Sequence, residues 1–184
     1  AQGRTLHFSV SWVQSKTMHL IMITPAQPGS KAGNRATAER WETLLKTAGH
    51  SVDVVTEYHG EPCDAFIALH AWRSVDAIRH FREIWPEKPL IVALTGTDIY
   101  YHQHEYPEDT RYSMGAADAL IGLHDLVAHD IPAGLASKLV TLYQSAEGPE
   151  AFPARQADLT KESFGACVIG HLRDEKDSLR AAYA

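Results

Sequence analysis

The feature that most constrains this 184-residue chain is a strand-like run, a glycine-rich loop and an amphipathic helix pattern in direct succession. The apolar run Leu20–Thr24 predicts a buried strand, and Pro25–Gly33 carries the prolines and glycines of a loop. From Asn34 to Ala48 the apolar residues recur at helical spacing. This order is typical of the start of a Rossmann-like domain. Its loop presents backbone N–H groups at a helix N-terminus, which favours an anion.

Composition and charge exclude several classes of protein. Hydrophobic residues make up 45% and charged residues 22%, an ordinary globular balance. The formal net charge of −6, without a lysine or arginine block, argues against general nucleic-acid binding. Cys63 and Cys167 are too few for a disulfide framework or a zinc site, so a cytoplasmic location is expected.

The N-terminal segment does not indicate export or membrane insertion. No apolar run approaches the roughly 18 residues that a membrane-spanning helix needs. Residues 1–17 have no continuous apolar core, which argues against a signal peptide. Since Met18 directly precedes the first predicted strand, residues 1–17 are interpreted as an extension or a cloning remnant outside the fold.

The rest of the chain alternates strand-like and helical patterns. Further strands are predicted at Ser51–Val55, Ala65–Leu69, Leu90–Leu94, Leu120–Leu123 and Leu139–Leu142. Helical patterns cover Val75–Trp85, Thr110–Ala117 and the surroundings of Asp125–His129, whereas Tyr100–Glu108 is expected to be irregular. This alternation predicts an α/β fold, with a Rossmann-like parallel sheet and helices on both faces.

The composition changes after residue 146. Glu147–Ser163 contains Gly148 and several prolines without any hydrophobic period, which indicates a linker. Phe164–Ile169 then predicts a new strand, and a helix is expected from Ser178 to Tyr183. The predicted organisation is one Rossmann-like domain over 18–146, a linker over 147–163, and the first strand, loop and helix of a second, truncated Rossmann-like domain over 164–184.

Polar residues follow several of the predicted strands. An open parallel sheet binds its ligands beyond the carboxyl ends of its strands, which is where these residues are expected. They lie in Pro25–Arg35, His70–Arg73, Thr95–Asp98 and Gln144–Ala146. The glycine-rich loop, with Lys31 and Arg35, suits a phosphate-like group. The alternative is a structural turn with solvated basic residues. The pattern G-x-G-x-x-G is absent, so a classical dinucleotide site is not supported.

Individual side chains leave alternatives open. His70 is a general base or hydrogen-bond donor, or it simply bonds to backbone at a strand end. Asp98 orients a sugar hydroxyl or accepts a proton, or it caps the next segment. His102 and His104 suggest a metal, but such a pair is more often plain surface.

A second phosphate candidate lies near the end of the chain. Gly170–Lys176 follows the predicted strand of the second domain, and Arg173 and Lys176 supply positive charge. The alternative interpretation is that Gly170–Lys176 is a solvent-exposed run of charged residues without a ligand.

Five segments carry a resemblance to a known family. They are TPAQPGSKAGNRATAERW (Thr24–Trp41), ALHAWRS (Ala68–Ser74), ALTGTDIY (Ala93–Tyr100), YQSA (Tyr143–Ala146) and VIGHLRDEKDSLRAA (Val168–Ala182). Together they resemble glycosyltransferases of the GT-B fold in the family 4 clan, and they are similar to the bacterial selenosugar synthases of selenoneine biosynthesis.

The resemblance implies a reaction and an architecture. Enzymes of that family join selenophosphate to the sugar of a UDP-sugar, typically UDP-N-acetylglucosamine, with a new carbon–selenium bond and release of UDP. Two Rossmann-like domains face each other across a cleft, the first for the acceptor and the second for the nucleotide sugar. No metal cofactor is implied, in agreement with the absence of a D-x-D pair. The expected partners are these small substrates and a C-terminal donor domain.

The resemblance and the fold position together assign roles to residues. The catalytic candidates are His70 and Asp98. The predicted acceptor-binding residues are Lys31, Gly33, Asn34, Arg35, Arg73, Thr95, Gly96, Thr97, Gln144 and Ser145. The predicted donor diphosphate-binding residues are Gly170, His171, Arg173 and Lys176.

Two departures from the family pattern stand out. His171 stands where the family usually has an arginine, and the carboxylate motif that grips the donor ribose has no counterpart before Ala184. The chain is therefore expected to be the acceptor half of a longer enzyme, inactive as a transferase alone. Two other functions stay open. One is an ordinary oxygen-glycosyltransferase, which needs a general base such as His70 or Asp98. The other is a non-catalytic anion-binding or response-regulator-like domain.

Overall fold

One parallel sheet organises the molecule. The computed structural model describes residues 16–146, together with residues 148, 167, 177 and 179–183. Its six strands are β1 (His19–Ile23), β2 (Ser51–Val55), β3 (Ala65–Leu69), β4 (Leu90–Leu94), β5 (Ala119–Gly122) and β6 (Leu139–Thr141). All neighbours pair in parallel, in the order β2-β1-β3-β4-β5-β6. The predicted Rossmann-like α/β class is confirmed.

Helices connect the strands. They are α1 (Gly33–Thr47), α2 (Val75–Ile84), α3 (Gln103–Glu105), α4 (Pro107–Ala116) and α5 (Val127–Asp130). A π-helical turn covers Asp98–His102, and short 3-10 helices cover Ala133–Lys138 and Arg180–Ala182.

The sheet separates two apolar cores because successive side chains of a strand point to opposite faces. On one face, Leu20 and Met22 of β1 pack with Ala38 and Trp41 of α1. On the other face, Ile21 and Ile23 of β1 join the apolar faces of α2 and α4 in a larger core of buried side chains. The strand order reverses direction between β1 and β3, so the helices that follow these two strands cover opposite faces.

The segment after β4 differs from the sequence prediction. Tyr100–Glu108 was expected to be irregular, but it is helical through the π-helical turn and α3, and α4 already begins at Pro107. Pro107 suits the first position of a helix because its missing N–H needs no partner there. Two rings of this segment, His102 and Tyr106, stack on Trp72, which lies far away in the sequence.

Several predictions fall on residues that the structure does not describe. The linker over 147–163 and the strand Phe164–Ile169 lie almost entirely outside the described residues. The donor candidates Gly170, His171, Arg173 and Lys176 lie outside them as well. The predicted helix from Ser178 to Tyr183 coincides with the 3-10 turn Arg180–Ala182. Within the described ranges, every helix is too short or too polar to cross a lipid bilayer.

Candidate functional site

A cavity of about 730 Å³ opens at the carboxyl edge of the sheet, where the strand order reverses. The loops after β1, β3 and β4 meet there with the N-terminus of α1. The lining residues are Pro25, Ala26, Ala32, Gly33, Asn34, His70, Arg73, Thr95, Gly96, Thr97, Tyr100, Tyr101 and His102. The volume lies in the range of small-molecule binding sites. The expected position of the site at this edge therefore coincides with a real cavity.

The charge of the cavity wall contrasts with the charge of the chain. The chain carries a formal net charge of −6, yet the described lining residues include Arg73 and two histidines and no carboxylate. The Arg73 side chain has no acidic partner among the described residues. An unpaired guanidinium in an acid-free concave wall favours an anionic ligand.

The N-terminus of α1 adds donors to the same wall. Its N-cap residue, Ala32, offers no side-chain cap, and the first turn holds no acidic residue. The Ala32 carbonyl accepts from the amides of Arg35 (3.0 Å) and Ala36 (3.2 Å). The amides of Gly33 and Asn34 precede these donors and are the ones that a helix leaves without intrahelical acceptors. A Cβ placed on Gly33 would meet nothing within 4 Å, so the space beside the Gly33 Cα is open.

A three-ring stack holds Arg73 beside the cavity. The Trp72 ring stacks on His102 (centroids 4.3 Å apart, 15° between planes) and on Tyr106 (4.2 Å, 11°), and the His102 and Tyr106 centroids lie 6.0 Å apart. The Arg73 guanidinium lies 5.3 Å from the centre of the Trp72 ring. Such cation–π contacts stabilise a guanidinium by about 0.5–1 kcal/mol at exposed sites. The stack therefore restrains the position of the cation.

The Asp98 carboxylate binds four backbone amides beneath the cavity floor. Oδ2 accepts from Ala71 (3.0 Å) and Thr95 (3.1 Å), and Oδ1 accepts from Gly96 (2.8 Å) and Ile99 (3.2 Å). A carboxylate has about four acceptor sites, so all of them are filled. Asp98 is 0% exposed and is absent from the lining. The geometry favours its interpretation as a backbone cap that joins the loops after β3 and β4.

His70 is buried at the carboxyl end of β3 with an unusual backbone conformation. Its φ of 77° lies in the left-handed region, which a non-glycine residue adopts at a cost. Its Nδ1 accepts the amide hydrogen of Arg73 at 3.2 Å. Since Nδ1 accepts, the proton of the neutral ring sits on Nε2, which donates to Thr97 Oγ1 at 3.0 Å.

The protonation state of His70 follows from its surroundings. Burial lowers the pKa of His70 to about 4. The charge of Asp98 opposes this shift, whereas His102 and Arg73 reinforce it. The ring is therefore neutral at pH 7, and both of its nitrogens are engaged.

The structure places the remaining acceptor candidates in two groups. Thr95, Gly96 and Thr97 line the cavity with Gly33 and Asn34. Lys31 is exposed, and Arg35 bonds through Nε to Glu39 at 2.7 Å; neither is among the lining residues. The Nη1 atom of Arg35 is buried and has no hydrogen-bond partner among the residues that the structure describes.

Gln144 and Ser145 lie away from the cavity. The chain after β6 runs along the outer side of α1, where the Thr37 hydroxyl donates to Gln144 (3.3 Å) and Arg40 Nε donates to Ser145 (3.2 Å). The two predicted acceptor residues therefore contact a helix surface, and they are not part of the cavity wall that the structure describes.

Sequence reasoning missed the aromatic part of the site. Tyr100, Tyr101 and His102 line the cavity, and Trp72 and Tyr106 support it. Burial, reinforced by the neighbouring Asp130, raises the pKa of the Tyr100 phenol, which therefore stays protonated. The available signal was the density of aromatic and histidine residues in Tyr100–Tyr106, which exceeds what a plain surface loop needs.

The histidine pair considered as a metal site is split by the fold. His102 is 6% exposed and stacks on Trp72, whereas His104 is exposed. Across the part of the chain that the structure describes, no three side chains of His, Cys, Asp or Glu are grouped to hold a metal ion.

Fold and site define an α/β protein with a parallel sheet and an anion-suited cavity at the point where the strand order reverses. No protein-family model matches the chain, and no curated protein matches it. The function is therefore argued from the cavity and from the sequence motifs.

Proposed function

We propose that this chain binds the acceptor in a GT-B glycosyltransferase of the selenosugar synthase kind. In this proposal, selenophosphate is joined to the sugar of a UDP-sugar, with UDP-N-acetylglucosamine the expected donor, as in selenoneine biosynthesis. The observation that carries the proposal is the cavity at the switch point of the sheet, whose described lining residues include Arg73 and no carboxylate. Three of the five segments that carry the resemblance, Thr24–Trp41, Ala68–Ser74 and Ala93–Tyr100, contribute residues to the wall of this cavity.

The cavity offers donors and positive charge to a small tetrahedral oxyanion. Arg73 supplies the charge, and the amides of Gly33 and Asn34 supply donors at the positive end of the α1 dipole. Thr95 and Thr97 line the same cavity.

The hydrogen bonds of His70 and Asp98 support a selenium acceptor over a hydroxyl acceptor. Oxygen transfer needs a free base near the acceptor. Here Nδ1 of His70 accepts the Arg73 amide, and the Asp98 carboxylate is filled by four backbone amides. Selenophosphate is already an anionic nucleophile and needs no proton removed by the protein. In this proposal His70 and Asp98 hold the loops of the cavity in place and take no proton from the acceptor.

The proposed step balances without an added reagent. A lone pair on the selenium of selenophosphate forms the bond to the anomeric carbon. The bond between that carbon and the β-phosphate oxygen breaks, and UDP leaves with the electron pair. In such a displacement the protein contributes chiefly orientation and electrostatic stabilisation.

Binding and product analysis test the proposal. Selenophosphate is titrated into the chain and followed by ³¹P NMR, with phosphate and UDP as competitors. Binding of selenophosphate that resists UDP and is lost in Arg73→Gln supports an acceptor site. Absence of selenophosphate binding contradicts it.

The transfer step is tested on the chain and on any longer protein that contains it. The enzyme is supplied with a UDP-sugar and selenophosphate, and the products are analysed by mass spectrometry. A sugar product with the isotope pattern of selenium supports the proposal. A product from a hydroxyl acceptor instead indicates an oxygen-glycosyltransferase.

Anion binding without transfer, even in a longer protein, indicates a binding domain. A phosphorylation mechanism of the response-regulator kind has little support in the described residues. Thr24 and His70, not carboxylates, follow β1 and β3.

A further inference from the structure

Thr97 is held at both of its polar ends by imidazole rings. His70 Nε2 lies 3.0 Å from Thr97 Oγ1, and His102 Nδ1 lies 2.9 Å from the Thr97 carbonyl oxygen. The two rings touch edge to face, with centroids 5.0 Å apart. Thr97 stands at the N-cap position of the π-helical turn, yet its hydroxyl makes no capping bond. Both ends of this residue are therefore fixed by side chains.

The direction of each hydrogen bond follows from the backbone. Nδ1 of His70 accepts the Arg73 amide, so Nε2 is the donor and Thr97 Oγ1 the acceptor. A carbonyl oxygen has no hydrogen to give, so His102 donates through Nδ1 to Thr97. A threonine hydroxyl carries one hydrogen. With its oxygen accepting from His70, the Thr97 hydroxyl has its own hydrogen left to donate.

No acceptor for that hydrogen occurs within the residues that the structure describes. Thr97 lines the cavity beside Gly96 and faces the same space as Arg73. A Cβ added to Gly96 would meet nothing within 4 Å, which shows that the space beside Thr97 is open. A ligand atom with a lone pair fits this position, and a ligand hydrogen-bond donor fits it less well.

We propose that the Thr97 hydroxyl is the specificity-determining donor of the cavity, and that His70 is its positioning residue. Thr97 donates to an anionic oxygen of the ligand, while His70 fixes the direction of that hydrogen bond and never exchanges the proton. His70 also fixes the Arg73 backbone through Nδ1, so one ring aligns two ligand-facing residues. This inference rests on the proposed anion site, and it adds the residue that recognises the anion.

The test uses sulfate, because it stays a dianion from pH 5 to 8 and any pH effect then belongs to the protein. Sulfate is titrated by NMR into the wild type, Thr97→Val, Thr97→Ser and His70→Asn. Valine keeps the shape of threonine without the hydroxyl, and serine returns the hydroxyl. Asparagine tolerates the left-handed backbone of residue 70. Thr43→Val is the matched control, since its hydroxyl bonds to the Glu39 carbonyl on the exposed side of α1.

Loss of a hydrogen bond to a charged group predicts about 10- to 100-fold weaker sulfate binding in Thr97→Val. Thr97→Ser is expected to restore most of the affinity, and Thr43→Val to bind as the wild type does. If His70 acts through Thr97, adding His70→Asn to Thr97→Val weakens sulfate binding by a smaller factor than His70→Asn does in the wild type, and the factor that remains reflects the bond of His70 to the Arg73 amide. Independent effects would multiply in full. Thermal unfolding of each variant shows that the protein measured is folded.

The possible failures are distinct. If the wild type binds neither sulfate nor selenophosphate, the proposed anion site is wrong and this inference falls with it. If the wild type binds sulfate and Thr97→Val binds equally well, the anion site stands and the role of Thr97 is wrong. If the losses of Thr97→Val and His70→Asn multiply in the double variant, the positioning role of His70 is wrong.

Discussion

The Asp98 carboxylate holds the backbone amide of Ala71 at 3.0 Å, across 27 positions of sequence. The same carboxylate binds the amides of Thr95, Gly96 and Ile99. Ala71 follows β3 and Thr95 follows the neighbouring strand β4, so one side chain joins two adjacent loops that contribute to the cavity wall. The shape of the site therefore depends on a residue that does not face it.

Asp98→Asn is expected to destabilise the fold. An amide keeps one acceptor oxygen, and its NH₂ group would face two backbone N–H donors. Hydrogen bonds to charged groups contribute about 1.5–3 kcal/mol each, so the loss should be roughly 3 kcal/mol or more. Denaturant unfolding measures it, with Asp125→Asn at an exposed position as the control. Equal stability of the two variants would contradict the capping role.

The lowered pKa of His70 predicts that the stability of the fold decreases at acidic pH. The pKa of His70 is about 4 in the folded protein against 6.5 for the free side chain, so between these values the unfolded chain binds the proton more readily. The contribution of the neutral His70 ring to the free energy of unfolding is thus fully present above pH 6.5, and it is lost as the pH falls towards 4. At about 1.4 kcal/mol per pH unit, the loss amounts to roughly 3 kcal/mol.

The measurement compares unfolding free energies at pH 7 and pH 4.5. His70→Asn should lose less stability over this interval than the wild type does, whereas His129→Asn, at an exposed position, should follow the wild type. Parallel curves for the wild type and His70→Asn would mean that this ring is not neutral and buried in solution.

Arg73→Gln should weaken anion binding with little effect on stability. The guanidinium is exposed, lacks an acidic partner among the described residues and lies beside the cavity. Removing its charge is expected to reduce selenophosphate affinity about 10- to 100-fold. Calorimetric titration measures the change. Arg79→Gln is the matched control, since Arg79 pairs with Asp109 on the surface of α2. Similar losses in both variants would point to a general charge effect rather than a site.

Trp72→Ala should affect both stability and binding. The substitution removes the ring on which His102 and Tyr106 stack, and with it the support of Arg73. Truncation of a packed aromatic residue costs about 3 kcal/mol, whereas Trp72→Phe keeps a stacking ring and should cost roughly 1 kcal/mol. Circular dichroism during denaturant unfolding gives the stability. If alanine and phenylalanine have the same effect, the stack does not stabilise this region.

The strands were predictable because their signals are local. Ser51–Val55, Ala65–Leu69 and Leu90–Leu94 are apolar or β-branched runs with turn residues around them, and the structure has the same bounds. The position of the cavity followed from the rule that parallel sheets bind ligands at their carboxyl edge. Gly33, Arg73 and Thr97 were placed at this edge from the sequence, and they line the cavity.

The remaining features depend on contacts between distant parts of the chain. The helical order of Tyr100–Glu108 comes from Trp72 and from the capping by Asp98, and neither leaves a period in the sequence. Gln144 turns towards Thr37 because the chain folds back along α1 after β6, a direction that no local pattern encodes. The hydrogen bonds of the His70 ring could not be predicted from the sequence either, since its tautomer depends on the backbone amide of Arg73.

The left-handed backbone of His70 also limits how this position can change during evolution. Glycine, asparagine and aspartate accept such a backbone readily, but none of them supplies the acceptor and the donor of an imidazole at the same spacing. Backbone and side chain thus select different amino acids at one position. A lineage that drifts to glycine here would relieve the conformational strain and would need a new residue to hold Thr97.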